Sequence, residues 1–183
     1  MDELIDIVDE NDNVIGVKLK SEAHRDGSRH RSAHVWIVKD GKIFMQRRGK
    51  NKRFFPNKFD VACAGHLMSG ESYEEGAIRE LKEEVGLDIE KDRLIPLQKR
   101  KQTSIVKDEN GSKYISREIM MVFLLELKND EKMEIDKNEI EELKAFEIQE
   151  LKDLLENRPE LFVDDKKYLK DIVNLLEKNM SPN

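Results

Sequence analysis

Through most of its length the chain sets short apolar runs between polar stretches, and towards its end the apolar positions change to a helical period. Residues 4–8 and 14–19 flank the Asx-rich residues 9–13 and read as an N-terminal hairpin within residues 3–20. Polar sequence rich in His and Arg follows over residues 21–32. Residues 33–38 and 42–46 are stronger strands joined at Asp40-Gly41, a pair suited to hairpin turns because both residues tolerate positive φ. Residues 47–58 carry Arg47, Arg48, Lys50, Lys52, Arg53 and Lys58, no acid, and Pro56, which is a loop pattern. Residues 59–64 read as a further short strand, residues 73–85 as a helix, and residues 93–105 and 115–127 as strands separated by turn-like residues 108–111. A last strand near 142–147 and two helices, about 148–156 and 163–178, complete the chain. Strands on both sides of one helix, with helices at the end, predict a mixed α/β architecture in one domain, residues 1–183.

The helix at 73–85 is the segment with the most local detail. Ser72 followed by Glu75 is a capping box, in which hydroxyl and carboxylate satisfy the orphan amides of a helix start. Gly86 supplies a stop, because glycine takes the left-handed conformation cheaply. Between them Ala77, Ile78, Leu81 and Val85 fall on one stripe that faces a core. Glu80, Glu83 and Glu84 fall on an adjacent arc, where like charges repel. Either that arc is a solvated acidic face, or it holds a hard divalent cation on oxygen ligands.

Composition narrows the classes. The chain has 183 residues, 33 Lys plus Arg against 39 Asp plus Glu, and a net charge of −6. An acidic chain is a poor sequence-independent binder of nucleic-acid polymers, whose affinity comes from neutralising phosphates. Charged residues are 39%, yet 38% hydrophobic residues still supply a core, which argues against disorder of the whole chain. Cys63 is the single cysteine, so an intramolecular disulfide is excluded. No apolar run approaches the roughly 18 residues that cross a bilayer, and the N-terminus is acidic. The expectation is a cytoplasmic enzyme of small molecules, with no membrane partner.

Gly65, Glu71, Arg79-Glu80-Leu81, Glu83-Glu84 and Gly86-Leu87 resemble the Nudix box at every defined position, over residues 65–87. The resemblance implies an α/β/α sandwich with a mixed sheet, in which the box forms a loop, a helix and a loop. It implies hydrolysis of a diphosphate linked to another moiety, usually a nucleoside diphosphate derivative, with Mg²⁺ or Mn²⁺. Glu80, Glu83 and Glu84 are then the metal ligands, with Glu83 and Glu80 also catalytic. Arg79 is the orienting arginine, paired with Glu71 or Glu83, and Gly65 permits the close turn before the site. Family members often use a further glutamate outside the box as catalytic base or metal ligand. Glu118, at the start of an apolar strand, is the first candidate here, with Glu139 and Glu142 behind it. Each also reads as an ordinary surface acid.

Outside the box the chain is similar to the isopentenyl diphosphate isomerase-like branch. The marks are the hairpin, the His-rich approach to the first core strand, Gln46-Arg47-Arg48 and Phe55-Pro56. Isomerases of this branch hold a second metal on three histidines and two glutamates and use a cysteine beside the box glycine. His24, His30 and His66 fall at or near the histidine places, and Glu118 at one glutamate place. Ser116 stands at the other, and Ala64 stands at the cysteine place. Cys63 is shifted by one residue, which on a strand turns it to the opposite face, as a small buried hydrophobe. Hydrolysis is therefore the leading expectation. Isomerisation and a non-catalytic nucleotide-sensing module are the alternatives. His24, His30 and His34 among Arg25, Arg29 and Arg31 read as a metal cluster, a phosphate-facing basic loop or plain surface polarity. Arg47 and Arg48, at the end of a core strand, are expected to bind substrate together with Gly65 and His66. Phe54, Phe55 and Trp36 either stack on a base or pack in the core. The terminal segment 148–178 packs on the domain or on a second copy, which would make a homodimer.

Overall fold

The hairpin forms from its apolar flanks: β1 (Leu4–Val8) pairs antiparallel with β2 (Val14–Leu19). Asp9 closes the connection by accepting from the Asn11 and Asn13 amides at 2.8 and 2.9 Å. This computed structural model describes residues 2–107, 111, 113–163 and 165–180. The stretch 21–32, read as irregular, begins with a short helix, α1 (Lys20–Asp26), ended by Gly27 at φ 72°. Its seven residues bury only Ala23 and His24, too few to leave a periodic signal. β3 (Arg29–Lys39) then starts earlier than its apolar residues suggest, and β4 (Lys42–Arg48) returns from the Asp40-Gly41 turn.

The strand expected over 59–64 is two strands, β5 (Phe59–Val61) on β4 and β6 (Cys63–His66) on β3, broken at Ala62. α2 (Tyr73–Val85) occupies the predicted span, and both hydrogen bonds of its capping box are present. β7 (Ile95–Lys107) and β8 (Lys113–Glu126) form the long antiparallel pair. The turn expected between them, residues 108–111, lies outside the described residues except for Gly111. β9 (Ile140–Glu147), α3 (Ile148–Asn157) and α4 (Lys166–Met180) follow.

β3 organises the sheet. Along one edge it runs parallel to β8, from Arg29 beside Arg117 to Val38 beside Glu126. Its other edge takes β6 at Ser32 through Val35 and β4 at Ile37 through Lys39. β4 then diverges to pair with β5 and β9. The alternation of side chains sorts two cores. Trp36, Val38, Met120, Val122 and Leu124 pack with Leu151, Leu155, Leu169, Ile172 and Leu176 of the last two helices. Val35, Ile37, Phe123 and Leu125 pack with Ala77, Leu81 and Val85 of α2. Strands covered on both faces read as unbroken apolar runs, as β3 and β8 do. Helices on both faces of a mixed sheet give the α/β/α layering that the resemblance implies. Leu81 and Val85 are fully buried, and each contributes about 1.5–3 kcal/mol.

The terminal helices pack on the sheet of the same chain. Tyr168 of α4 is fully buried, meets His34 Nδ1 at 2.9 Å and accepts from Trp36 Nε1 at 3.3 Å. Trp36 therefore belongs to the core. Among the described residues no helix is long and apolar enough to cross a membrane.

Candidate functional site

β6 and α2 bring the box together around one contact. A Cβ on Gly65 would lie 2.0 Å from the Glu80 carboxylate, so glycine at this position is what lets the carboxylate rest against the strand. Arg79 crosslinks the segment: it donates to Glu71 at 2.8 and 3.0 Å, to Glu80 at 2.8 Å, to Glu83 at 3.1 Å and to the His66 carbonyl at 2.9 Å. Burial opposes its charge, yet Glu71 and Glu80 hold the guanidinium above its ordinary value. Glu71 also accepts from the Met68 amide at 2.7 Å, which fixes the loop before the helix.

The three helix carboxylates differ in environment. Glu83 is the open one, with 55% of its side chain exposed. Burial pushes the Glu80 carboxyl up against the pull of Arg79. Glu84 is pushed up to about 7, first by burial and then by Glu80, although it accepts from the Ala64 amide at 3.3 Å. Gln46 donates to it as well, at 3.3 Å. These residues line a groove of about 690 Å³ whose cations are Lys20, Arg48 and Lys52.

At the His66 end of the groove, ligand atoms of His24, His30 and His66 lie within 4.8 Å of one another. His24 Nδ1 meets the Ile115 carbonyl at 3.2 Å and His30 Nδ1 meets the Ser28 carbonyl at 2.9 Å. A carbonyl only accepts, so both Nδ1 atoms carry the proton and both Nε2 atoms present lone pairs. The His24 lone pair takes the Tyr114 hydroxyl at 2.8 Å. His30 Nε2 and His66 Nε2 are buried with no hydrogen-bond partner among the described residues. Burial and the neighbouring imidazoles lower His24 to about 3, and burial with His66 lowers His30 to about 4, so both stay neutral near neutral pH. Glu118 stands beside them, 3.7 Å from His66 Nε2, and accepts from Ser32 at 2.5 Å and from Ser116. Burial alone would raise its carboxyl, but His66, His30 and Ser116 bring it well below the usual range.

The structure thus brings Glu80, Glu83, Glu84, Arg48, Gly65 and His66 to one groove, holds Arg79 behind it on two of these carboxylates, and sets Glu118 at its histidine side. Arg47 is not in the groove. It donates to Glu142 of β9 at 2.8 Å, because on β4 Gln46 and Arg48 face the site and Arg47 faces the other way. Glu142 is thereby a cross-strand partner, and Glu139 lines the groove paired with Lys52. His34, grouped with His24 and His30 by sequence distance, belongs to Tyr168 instead. The same alternation turns Ala64 and His66 to one face of β6 and buries Cys63 on the other, beneath α2. Burial there pushes the Cys63 thiol well up. Lys20, Asp60 and Tyr114 line the site without having been singled out from sequence. Asp60 did carry a signal, an acid between Phe59 and Val61 in a short apolar strand; Tyr114 carried none.

The NUDIX domain model matches residues 28–171. A Nudix hydrolase of Clostridium acetobutylicum is 38% identical over 163 residues, 86% of this chain and 76% of that protein. One from Streptomyces coelicolor is 43% identical over 86 residues, about half of each chain, 46% and 48%. An isopentenyl-diphosphate Delta-isomerase of Photorhabdus laumondii is 29% identical over 175 residues, 95% of this chain and 92% of that protein. In fold, a crystal structure from Deinococcus radiodurans superposes with a TM-score of 0.70 at 24% identity, over 98% of this chain and 100% of the other.

Proposed function

The chain belongs to the Nudix hydrolase family, and from that premise we propose that it uses a divalent cation, Mg²⁺ or Mn²⁺, to cleave a diphosphate linkage with water. The substrate is a nucleoside diphosphate derivative or a related organic diphosphate. One observation carries the reading: Glu80 and Glu84 stand half-buried on the groove wall, where burial raises both carboxyls, with Glu83 adding repulsion on the first and Glu80 on the second. An arrangement unfavourable for the bare protein becomes a site for a hard cation, and Glu80, Glu83 and Glu84 supply oxygen donors of the right kind. Bound there, a divalent cation neutralises diphosphate oxygens and acidifies water.

The residues of the chain divide the remaining work. Arg79, held by Glu71 and the His66 carbonyl, keeps Glu80 and Glu83 turned towards the groove. Lys20 and Arg48 face the same space and neutralise the diphosphate. Glu83, the most open carboxylate, takes the proton of the attacking water. The water oxygen bonds to phosphorus as the bridging P–O bond breaks, and the leaving phosphate keeps the bonding electrons. Glu118 faces the histidines, with its oxygens engaged by Ser32 and Ser116, and serves there as a positioning group. With His24, His30 and His66 it offers donors suited to a second cation of borderline softness.

Isopentenyl diphosphate isomerisation is the second reading, favoured by that histidine trio. Ala64 opposes it, because the residue beside Gly65 on the cavity face has no proton to exchange. A sensing module with no chemistry has no use for all three helix carboxylates. The test is to incubate the protein with nucleoside diphosphates and with isopentenyl diphosphate in heavy water with Mg²⁺ or Mn²⁺. Cleaved diphosphate without carbon-bound deuterium is expected, and Glu83→Gln should lower kcat at least a hundredfold. Deuterium in the isoprenoid, or a Glu83→Gln enzyme within twofold of the parent, would contradict the reading.

A further inference from the structure

The sheet ends on one side at β2, which pairs with β1 alone. Val14, Ile15, Gly16, Val17 and Leu19 of this strand are exposed, and Lys18 is half-buried. We propose that β2 pairs antiparallel with β2 of a second copy of the chain, making the two sheets continuous across a two-fold axis.

The phase of the β1–β2 ladder shows which backbone groups are free. Lys20 donates its amide to the Glu3 carbonyl at 2.8 Å, and the register sets Leu4 opposite Leu19, Ile5 opposite Lys18 and Asp6 opposite Val17. Hydrogen-bonded and open pairs alternate along an antiparallel ladder, so Val17 and Leu19 turn their amides and carbonyls away from β1. Among the described residues no backbone group of another element meets them. Such a row of unpaired groups is a template for one more strand.

Side chains follow the same alternation. Ile5 and Ile7 are buried with Ala23 on one face of the hairpin. Leu4, Val17 and Leu19 share the other face, 54%, 50% and 37% exposed, and Val14 and Ile15 are exposed further along the strand. Single exposed apolar residues are ordinary, but five on one hairpin form a contiguous patch. The free edge β7 differs, because it carries Lys99, Lys101 and Lys107 and an irregularity at Pro96, features that discourage strand addition. In β2 the irregularity falls at Ile15, near the turn, and the one charge is Lys18, whose backbone faces β1.

Charge selects a second copy in antiparallel orientation. The turn end of the hairpin carries Asp9, Glu10 and Asp12. The other end carries Lys18 and Lys20, with side chains 39% and 35% exposed beside their partners Asp26 and Glu3. Antiparallel pairing sets the acidic turn of each copy at the lysine end of the other, whereas parallel pairing sets turn against turn. With Val17 on the axis, Val17 meets its own copy, Leu19 meets Ile15 and Lys18 meets Gly16; a register that set Lys18 against Lys18 would repel. The contact closes on itself, since each β2 spends its free edge on the other. Lys20, directly after Leu19, lines the carboxylate groove, so the interface runs up to the site. One short strand and five apolar side chains make a small interface, and dissociation is expected on dilution through about the micromolar range.

Sedimentation equilibrium of the full chain across that range tests the pairing, with a mass rising from one chain to two as the expected result. Val17→Lys and Val17→Glu each place a charge on the half-exposed axial position, and each alone should weaken dimerisation at least tenfold while melting near the parent. An equimolar mixture of the two variants should recover a heterodimer, because opposite charges then meet at the axis. Amide exchange on the unaltered chain gives a reading that needs no variant: the Val17 amide should be protected at high concentration and exchange freely on dilution. A monomer at every concentration would overturn the inference and leave the edge to a strand of another protein. A dimer unchanged in both variants, or Val17 exchange independent of concentration, would overturn it as well.

Discussion

Gly65 and Glu80 share a space that has no room for a methyl group, since a Cβ would come within 2.0 Å of the carboxylate. The clashing atoms are the end of a flexible side chain, so Gly65→Ala should move Glu80 and leave the fold intact. The expected outcome is a kcat at least a hundredfold lower with a stability loss within the about 1–3 kcal/mol typical of overpacking, read by turnover and denaturant melts. Glu84 gives a pH signature. Its carboxyl is raised from 4.5 to about 7 in the folded protein, by burial and then by Glu80. Between those values the folded state binds the proton more tightly than the unfolded state does, so its contribution is present at low pH and lost as pH rises through about 7. The shift corresponds to about 3 kcal/mol at most. Glu84→Gln should therefore melt close to the parent at pH about 5 in chelator and above it at pH about 8. Equal melting temperatures at both pH values would show that Glu84 is not held protonated.

α2 is the element on which the site is built, and its start is fixed locally: Ser72 Oγ accepts from the Glu75 amide at 3.3 Å and Glu75 accepts from the Ser72 amide at 2.8 Å. Ser72→Ala should lower stability by about 0.5–2 kcal/mol with kcat within twofold, because the cap lies about two turns before Arg79 and Glu80. A large loss of activity would place the cap in the site. The same locality explains why residues 73–85 were legible from sequence, with the caps, the apolar stripe and the acidic arc all within one segment. α1 was not legible, because a helix of seven residues burying two side chains leaves no period. The break at Ala62 was not legible either, since β5 and β6 differ in their partners, β4 and β3, and not in their composition. Arg47 and Arg48 look equivalent in sequence, and only the facing of β4 separates them.

Across the whole molecule, the α/β/α layering follows from two apolar strands covered on both faces, while the strand order depends on pairings between distant segments such as β3 with β8. The site divides in the same way. Its carboxylates lie on one arc of α2 that spacing reveals, and the resemblance to the Nudix box adds the arginine and the role of the arc. The opposite wall comes from β4, β5, β7 and β8, which assemble Arg48, Asp60, Ser104 and Tyr114 from far apart in sequence. In the proposed reaction this fold directs water at a diphosphate from the carboxylate face of α2. Cleavage of a nucleoside diphosphate in ¹⁸O-labelled water, read by mass spectrometry, tests it most directly. One labelled oxygen is expected in a phosphate product, formed only with Mg²⁺ or Mn²⁺ and lost in the Glu80→Gln/Glu84→Gln double variant. Unlabelled products, or labelling that continues at the parental rate in that variant, would contradict it.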